Sequence, residues 1–197
     1  MDQVVRSNCM VRCGIFFSNF RNHKKIFFVG YPKCSITSLI SSFYLSNTCT
    51  LEAFHDFGYW QLYACHITRN SVKSHFILYD VKCPNLADSC EGCWHKADVF
   101  VFCYSLDDVT RTTKFLTKWK HELQDYILKK PLVWLGISEK PVDKLKCVNG
   151  YAMARKKSPE FLYKFRNLYN VSLMTELSIL SERDVRDLFH MITDLST

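Results

Sequence analysis

Short apolar runs broken by polar turns make up most of the chain, and their spacing alternates between strand-like and helix-like. Lys25–Val29 is apolar after its first residue and predicts an opening strand. About Thr37–Tyr44 reads as a first helix, and 46–58 as an irregular stretch. Two extended segments, near Gln61–Thr68 and Lys73–Asp80, flank Arg69-Asn-Ser-Val72 and predict a hairpin. Asp98–Ser105 is nearly all apolar, as a strand buried on both faces should be. Residues 108–127 place Leu116, Leu123 and Ile127 at helical spacing. Pro131–Gly136 predicts another buried strand, Asn149–Arg166 a helix interrupted near Ser158-Pro159, and Asn170–Leu177 a last strand. Ser181-Glu-Arg-Asp184 resembles a capping box with Asp in place of Glu or Gln. It opens a helix whose inner face is Val185, Leu188, Phe189, Ile192 and Leu195.

Strands alternating with helices predict an α/β domain, a mostly parallel six-stranded sheet with helices on both faces and one antiparallel hairpin near its edge. Ligands in such sheets bind beyond the carboxyl ends of the strands. Here those ends lead into the loops after Gly30, Asp80, Ser105, Gly136 and Leu177. Residues 1–24 read as a basic extension and 25–197 as the domain. The extension carries Arg6, Arg12, Arg21 and Lys24 beside Ile15, Phe16, Phe17 and Phe20, a mix suited to packing on the domain or to peripheral membrane contact.

Composition narrows the class. With 48% hydrophobic residues in 197, the chain can bury one real core. No apolar run reaches the roughly 18 residues of a membrane span, and the first residues do not read as a secretory leader. Ten cysteines without such a leader imply reduced thiols and a cytoplasmic or nuclear setting. The net charge of +7 is spread along the chain, and no aromatic-interleaved basic motif points to nucleic acid.

The densest candidate chemistry lies in Lys25-Ile-Phe-Phe-Val-Gly-Tyr-Pro-Lys-Cys-Ser-Ile-Thr-Ser-Leu39. A strand runs into Gly30, a turn follows, and a helix opens, which is the layout of a phosphate-binding loop. Aligned with G-x-x-x-x-G-K-[ST], Ser35 stands at the second Gly, Ile36 at the Lys and Thr37 at the Mg²⁺-binding hydroxyl. The phosphate cation is therefore missing, with Lys33 the nearby substitute.

Ala97-Asp-Val-Phe-Val-Phe-Cys-Tyr-Ser-Leu106, Lys118-Trp-Lys-His-Glu122, Phe27-Phe-Val-Gly30, Thr37-Ser-Leu39 and Tyr151-Ala-Met-Ala154 together resemble segments of a Ras-superfamily small GTPase, most like the Rho family. The resemblance covers about residues 24–195 and implies the small G-domain fold of P-loop NTPases, with GTP or GDP and Mg²⁺ as the ligands to test. Its motifs are degenerate. The vestigial nucleotide positions are Gly30, Lys33, Ser35, Thr37, Ser38, Asp80 and Ser178. A Mg²⁺ site would rest on Thr37 and Asp80 alone, because Gly58 stands where the family places a metal-binding Thr.

Asp80-Val-Lys-Cys-Pro84 lacks the Gly and the water-orienting Gln of the second switch. Ile137-Ser-Glu-Lys140 puts Lys140 where an Asp should read guanine, with Glu139 beside it. A missing charge-assisted hydrogen bond weakens binding by about 1.5–3 kcal/mol. The resemblance thus implies a pseudo-GTPase, with no catalytic residue, no resident cofactor and a protein partner at the effector-like positions Gly58, Trp60 and Tyr63. A divergent GTPase that binds nucleotide and hydrolyses it slowly stays open, and the only enzyme reading is that of a GTP hydrolase. The chain's last residues, Asp194-Leu-Ser-Thr197, hold no prenylation Cys.

A second constellation is Cys83, Cys90, Cys93 and His95, whose Cys-x-x-Cys spacing suits Zn²⁺ and defines a third reading, a zinc-stabilised scaffold.

Overall fold

The computed structural model describes residues 20–30, 34–46, 49–58, 60–81, 94–106, 125–140, 147–148, 151–152 and 171–196. The chain enters a seven-stranded sheet through β1 (Lys24–Gly30) and passes into helix α1 (Ile36–Leu45). Strands β2 (Cys49–Asp56), β3 (Trp60–Arg69) and β4 (Val72–Val81) follow, then β5 (Val99–Ser105) and β6 (Leu132–Ser138). Two-residue strands β7 (Cys147–Val148) and β8 (Tyr151–Ala152) form a separate ribbon. Strand β9 (Val171–Ser178) and helix α2 (Glu182–Leu195) complete the order.

The strand order is β2-β3-β4-β1-β5-β6-β9. β2, β3 and β4 pair antiparallel, whereas β1 pairs parallel with β4 and β5, and β5-β6-β9 continue in parallel. Where the sequence predicts an irregular stretch over 46–58, the structure has β2. Among the described residues its only partner strand is β3, and most of its side chains are exposed. An edge strand with so little apolar surface leaves no period in the sequence. The β3–β4 hairpin is as expected. Its turn residues Asn70 and Ser71 both have positive φ, 50° and 66°, the mirror-image turn that matches strand twist.

The core has two layers, one on each face of the sheet. One contains Ile26, Phe28, Val101 and Leu135, and both helices pack into it: α1 through Leu39, Ile40 and Phe43, α2 through Val185, Leu188, Phe189 and Ile192. The other contains Phe27, Trp60, Tyr79, Phe100, Phe102 and Trp134, covered by Trp94 and Ile127. Ser181 caps α2 as its sequence predicts, accepting a hydrogen bond from the Asp184 backbone at 3.3 Å.

These findings correct the expected fold class. The sheet has seven strands, not six, and its first strands after β1 are antiparallel. Among the described residues, the two full helices α1 and α2 lie on one face, and the other face meets only the short helical stretch at 125–127, through Ile127. The described architecture is therefore a mixed, strand-rich sheet, not the six-stranded small G-domain of P-loop NTPases. The helix expected over 108–127 falls outside the described residues except for its last three, which are helical, and most of that expected over Asn149–Arg166 also falls outside them. Tyr151 and Ala152, expected in that helix, pair in the ribbon instead. No helix among the described residues is long and apolar enough to cross a membrane.

Candidate functional site

The parallel strands bring Gly30, Ser105, Ser138 and Ser178 to one end of the sheet, where α1 begins. Phe28 of β1 lies beside Asp80 of β4, so the carboxylate sits next to the strand that feeds the loop. A Cβ at Gly30 would come within 2.8 Å of the Cys103 carbonyl oxygen, so only glycine fits this close approach.

Side chains at this end bond to each other. The Thr37 hydroxyl donates to Asp80 Oδ2 at 2.5 Å, and Asp80 is 1% exposed. Ser35 precedes α1 with φ 59° and ψ 29°, a left-handed conformation that is uncommon for a non-glycine residue. Its side chain does not cap the helix. It donates instead to Glu139 Oε1 at 2.5 Å, across 104 residues of sequence. The Ser35 carbonyl takes the first helical bond, from Leu39 N at 2.9 Å. A carboxylate thus stands at the positive end of the helix dipole, the place a phosphate would take.

The rest of the set agrees poorly with a polyphosphate. Ile36, at the position of the missing Lys, is 6% exposed and packs in the core beneath α1. Cys34 is buried, and burial, reinforced by the Asp80 charge, pushes its thiol up to about 12. That thiol stays neutral at ordinary pH. Ser138 and Ser178, at the ends of β6 and β9, accept hydrogen bonds from Lys140 N at 3.0 Å and Leu180 N at 3.2 Å. The residues present therefore fit Mg²⁺·nucleotide only at Gly30, Thr37 and Asp80.

The structure also moves the effector-like surface. Trp60 and Tyr63, expected to face a partner, are 1% and 5% exposed. Trp60 stacks on Phe57 at 4.3 Å. The Tyr63 hydroxyl donates to Gln61 Oε1, and Gln61 Nε2 to Asp56 Oδ2, each at 2.7 Å. Asp56 Oδ1 also accepts from Gly58 N at 2.7 Å, closing the turn in which Gly58 has φ +82°. The exposed apolar groups of this region are instead Leu51 and Phe54 on β2, at 42% and 48%.

Ser38 lies on the exposed side of α1. Lys33 falls outside the described residues, as do Cys83, Cys90 and Cys93. His95 is described and exposed. Sequence reasoning does not reach the Ser35–Glu139 bond, because nothing local marks a pairing that far apart in the chain. Cys34 reads in the sequence only as one of many thiols, although its place in the loop is visible there. No protein-family model and no curated protein matches this chain.

Proposed function

We propose that this chain is a protein-interaction module that works without nucleotide, a degenerate counterpart of Rho-type small GTPases. The observation that carries the reading is the Ser35–Glu139 hydrogen bond, which sets the chain's own carboxylate at the start of α1. An incoming phosphate would meet like charge there, and the loop's usual lysine position holds a buried isoleucine. Partner contact then belongs to the β2 edge, where Leu51 and Phe54 are exposed and the strand borders the sheet. A cytoplasmic setting, with peripheral membrane contact through the N-terminal extension, accompanies this reading.

Thermal unfolding with and without Mg²⁺·GTP or Mg²⁺·GDP tests it. A ligand present at 100 times its Kd would stabilise the fold by about 2.7 kcal/mol. No shift is expected at millimolar nucleotide, and a shift of several degrees with either one would reject the proposal. Partner recovery is expected to be equal in nucleotide-free and in Mg²⁺·GTP buffers, and to be lost in the double variant Leu51→Glu/Phe54→Glu.

One observation favours the second reading, a divergent GTPase that binds nucleotide and hydrolyses it slowly. Thr37 and Asp80 do meet at 2.5 Å, as a hydroxyl and carboxylate flanking Mg²⁺ would.

A further inference from the structure

A cluster of three histidines around one carboxylate lies at the opposite end of the sheet from the α1 loop. His23 precedes β1, Glu52 is on β2, His66 on β3 and His75 on β4. His66 and His75 are direct cross-strand partners, so their side chains share a face. The β2–β3 register shifts between Leu51 and Ala53, which makes Glu52 the unpaired residue of a bulge. Bulges re-aim side chains, and this one brings Glu52 to the two histidines.

Glu52 Oε2 lies 3.1 Å from His23 Nε2, and its Oε1 lies 2.9 Å from His66 Nδ1 and 3.1 Å from His75 Nδ1. The His75 Nδ1 atom is buried, yet its approach to Glu52 lacks the direction of a hydrogen bond. The donor atoms of His23, Glu52 and His75 all lie within 4.8 Å of one another. Burial raises the Glu52 carboxyl, but the hydrogen bonds from His23 and His66 and the nearby His75 outweigh it and hold the group below its usual range.

We propose that His23, Glu52 and His75 bind one divalent transition-metal ion of the Zn²⁺ class, with His66 as a positioning residue that orients Glu52. Two imidazoles and a carboxylate are a common zinc donor set, and donors about 2.0–2.2 Å from the ion match this spacing. A histidine bonded to a ligating carboxylate fixes its orientation. The ion would tie the chain's entry into β1 to the edge of the sheet, because its ligands come from the segment before β1 and from β2 and β4. The zinc constellation of Cys83, Cys90, Cys93 and His95 is a separate proposition with mainly sulfur donors.

The test titrates full-length, chelator-treated protein with Co²⁺ and Zn²⁺, reading the cobalt spectrum and metal content. One ion per chain is expected, with visible cobalt bands and no sulfur-to-metal charge-transfer band in the near ultraviolet. Cys90→Ser/Cys93→Ser should leave the site intact. His75→Ala and Glu52→Gln should remove it while circular dichroism stays native, and Glu52→Gln keeps the side-chain size should the former fail to fold. His66→Ala should weaken affinity about 10–100-fold, as loss of an outer-shell partner does, while the bound cobalt spectrum is unchanged. No binding, or binding that Glu52→Gln leaves unaltered, would overturn the proposal, as would a charge-transfer band that disappears with the two cysteines.

Discussion

Between pH 9 and pH 11 the protein is expected to lose several kcal/mol of stability. The cause is a set of buried acids held neutral by the fold. Cys34 is raised from an ordinary 9.0 to about 12 by burial and by the Asp80 charge. Cys103 is raised by burial and by Cys34 and Asp80, and Cys65 by its hydrogen bond with Cys49 and by burial. Tyr63 is pushed up to about 12, chiefly by burial and then by Asp80, and burial raises Tyr44 as well.

A folded-state pKa above the unfolded one means that the unfolded chain releases its proton first. The stabilisation is therefore complete below about pH 9 and is lost as pH rises toward 12, at about 1.4 kcal/mol per pH unit for a single such thiol. Cys34 alone would account for ~3 kcal/mol by pH 11. Denaturant unfolding at several pH values checks this. The midpoint should fall steeply above pH 9, and Cys34→Ala should make the fall shallower. A flat profile to pH 11 would show that these thiols reach solvent.

Replacing Phe189 by alanine is expected to cost about 3–5 kcal/mol, a large share of the stability of an ordinary domain. Phe189 is 0% exposed and stacks on Phe43 with ring centroids 3.6 Å apart and planes 4° from parallel. It also meets Phe28 of β1 at 5.7 Å. One ring thus links α2, α1 and the centre of the sheet. Its loss would leave a cavity bounded by three elements that cannot all move inward together. Phe189→Leu, which keeps most of the volume, should cost much less. Equal unfolding midpoints for the alanine and leucine variants would contradict the packing described.

How far the sequence is legible follows from what burial demands. β5 and β6 are buried on both faces along their whole length, so their runs of apolar residues read directly. The face of α2 reads correctly because Val185, Leu188, Phe189 and Ile192 repeat at helical spacing under a serine cap. β2 is illegible because an exposed edge strand needs no apolar alternation. The six-stranded expectation fails with it, since the seventh strand is this one.

The candidate site shows a similar divide. The segment from Gly30 to Thr37 is visible because a phosphate-type loop is contiguous in sequence. What the loop now does is not visible, because it depends on Glu139, brought by another strand. Trp60 and Tyr63 look like surface aromatics by position, yet strand alternation puts them in opposite core layers. The histidine cluster is within reach of hairpin arithmetic. A turn at Asn70-Ser71 places His66 opposite His75, whereas Glu52 arrives through the bulge in β2 and His23 through the β1–β4 pairing, neither of which the sequence marks.

If the loop before α1 is satisfied by the protein's own side chains, it holds no guanine nucleotide. The mass spectrum of small molecules released when freshly purified protein is denatured decides the matter. No GDP or GTP above trace amounts is expected. One molecule of either per chain, retained through purification in Mg²⁺, would contradict the proposed function.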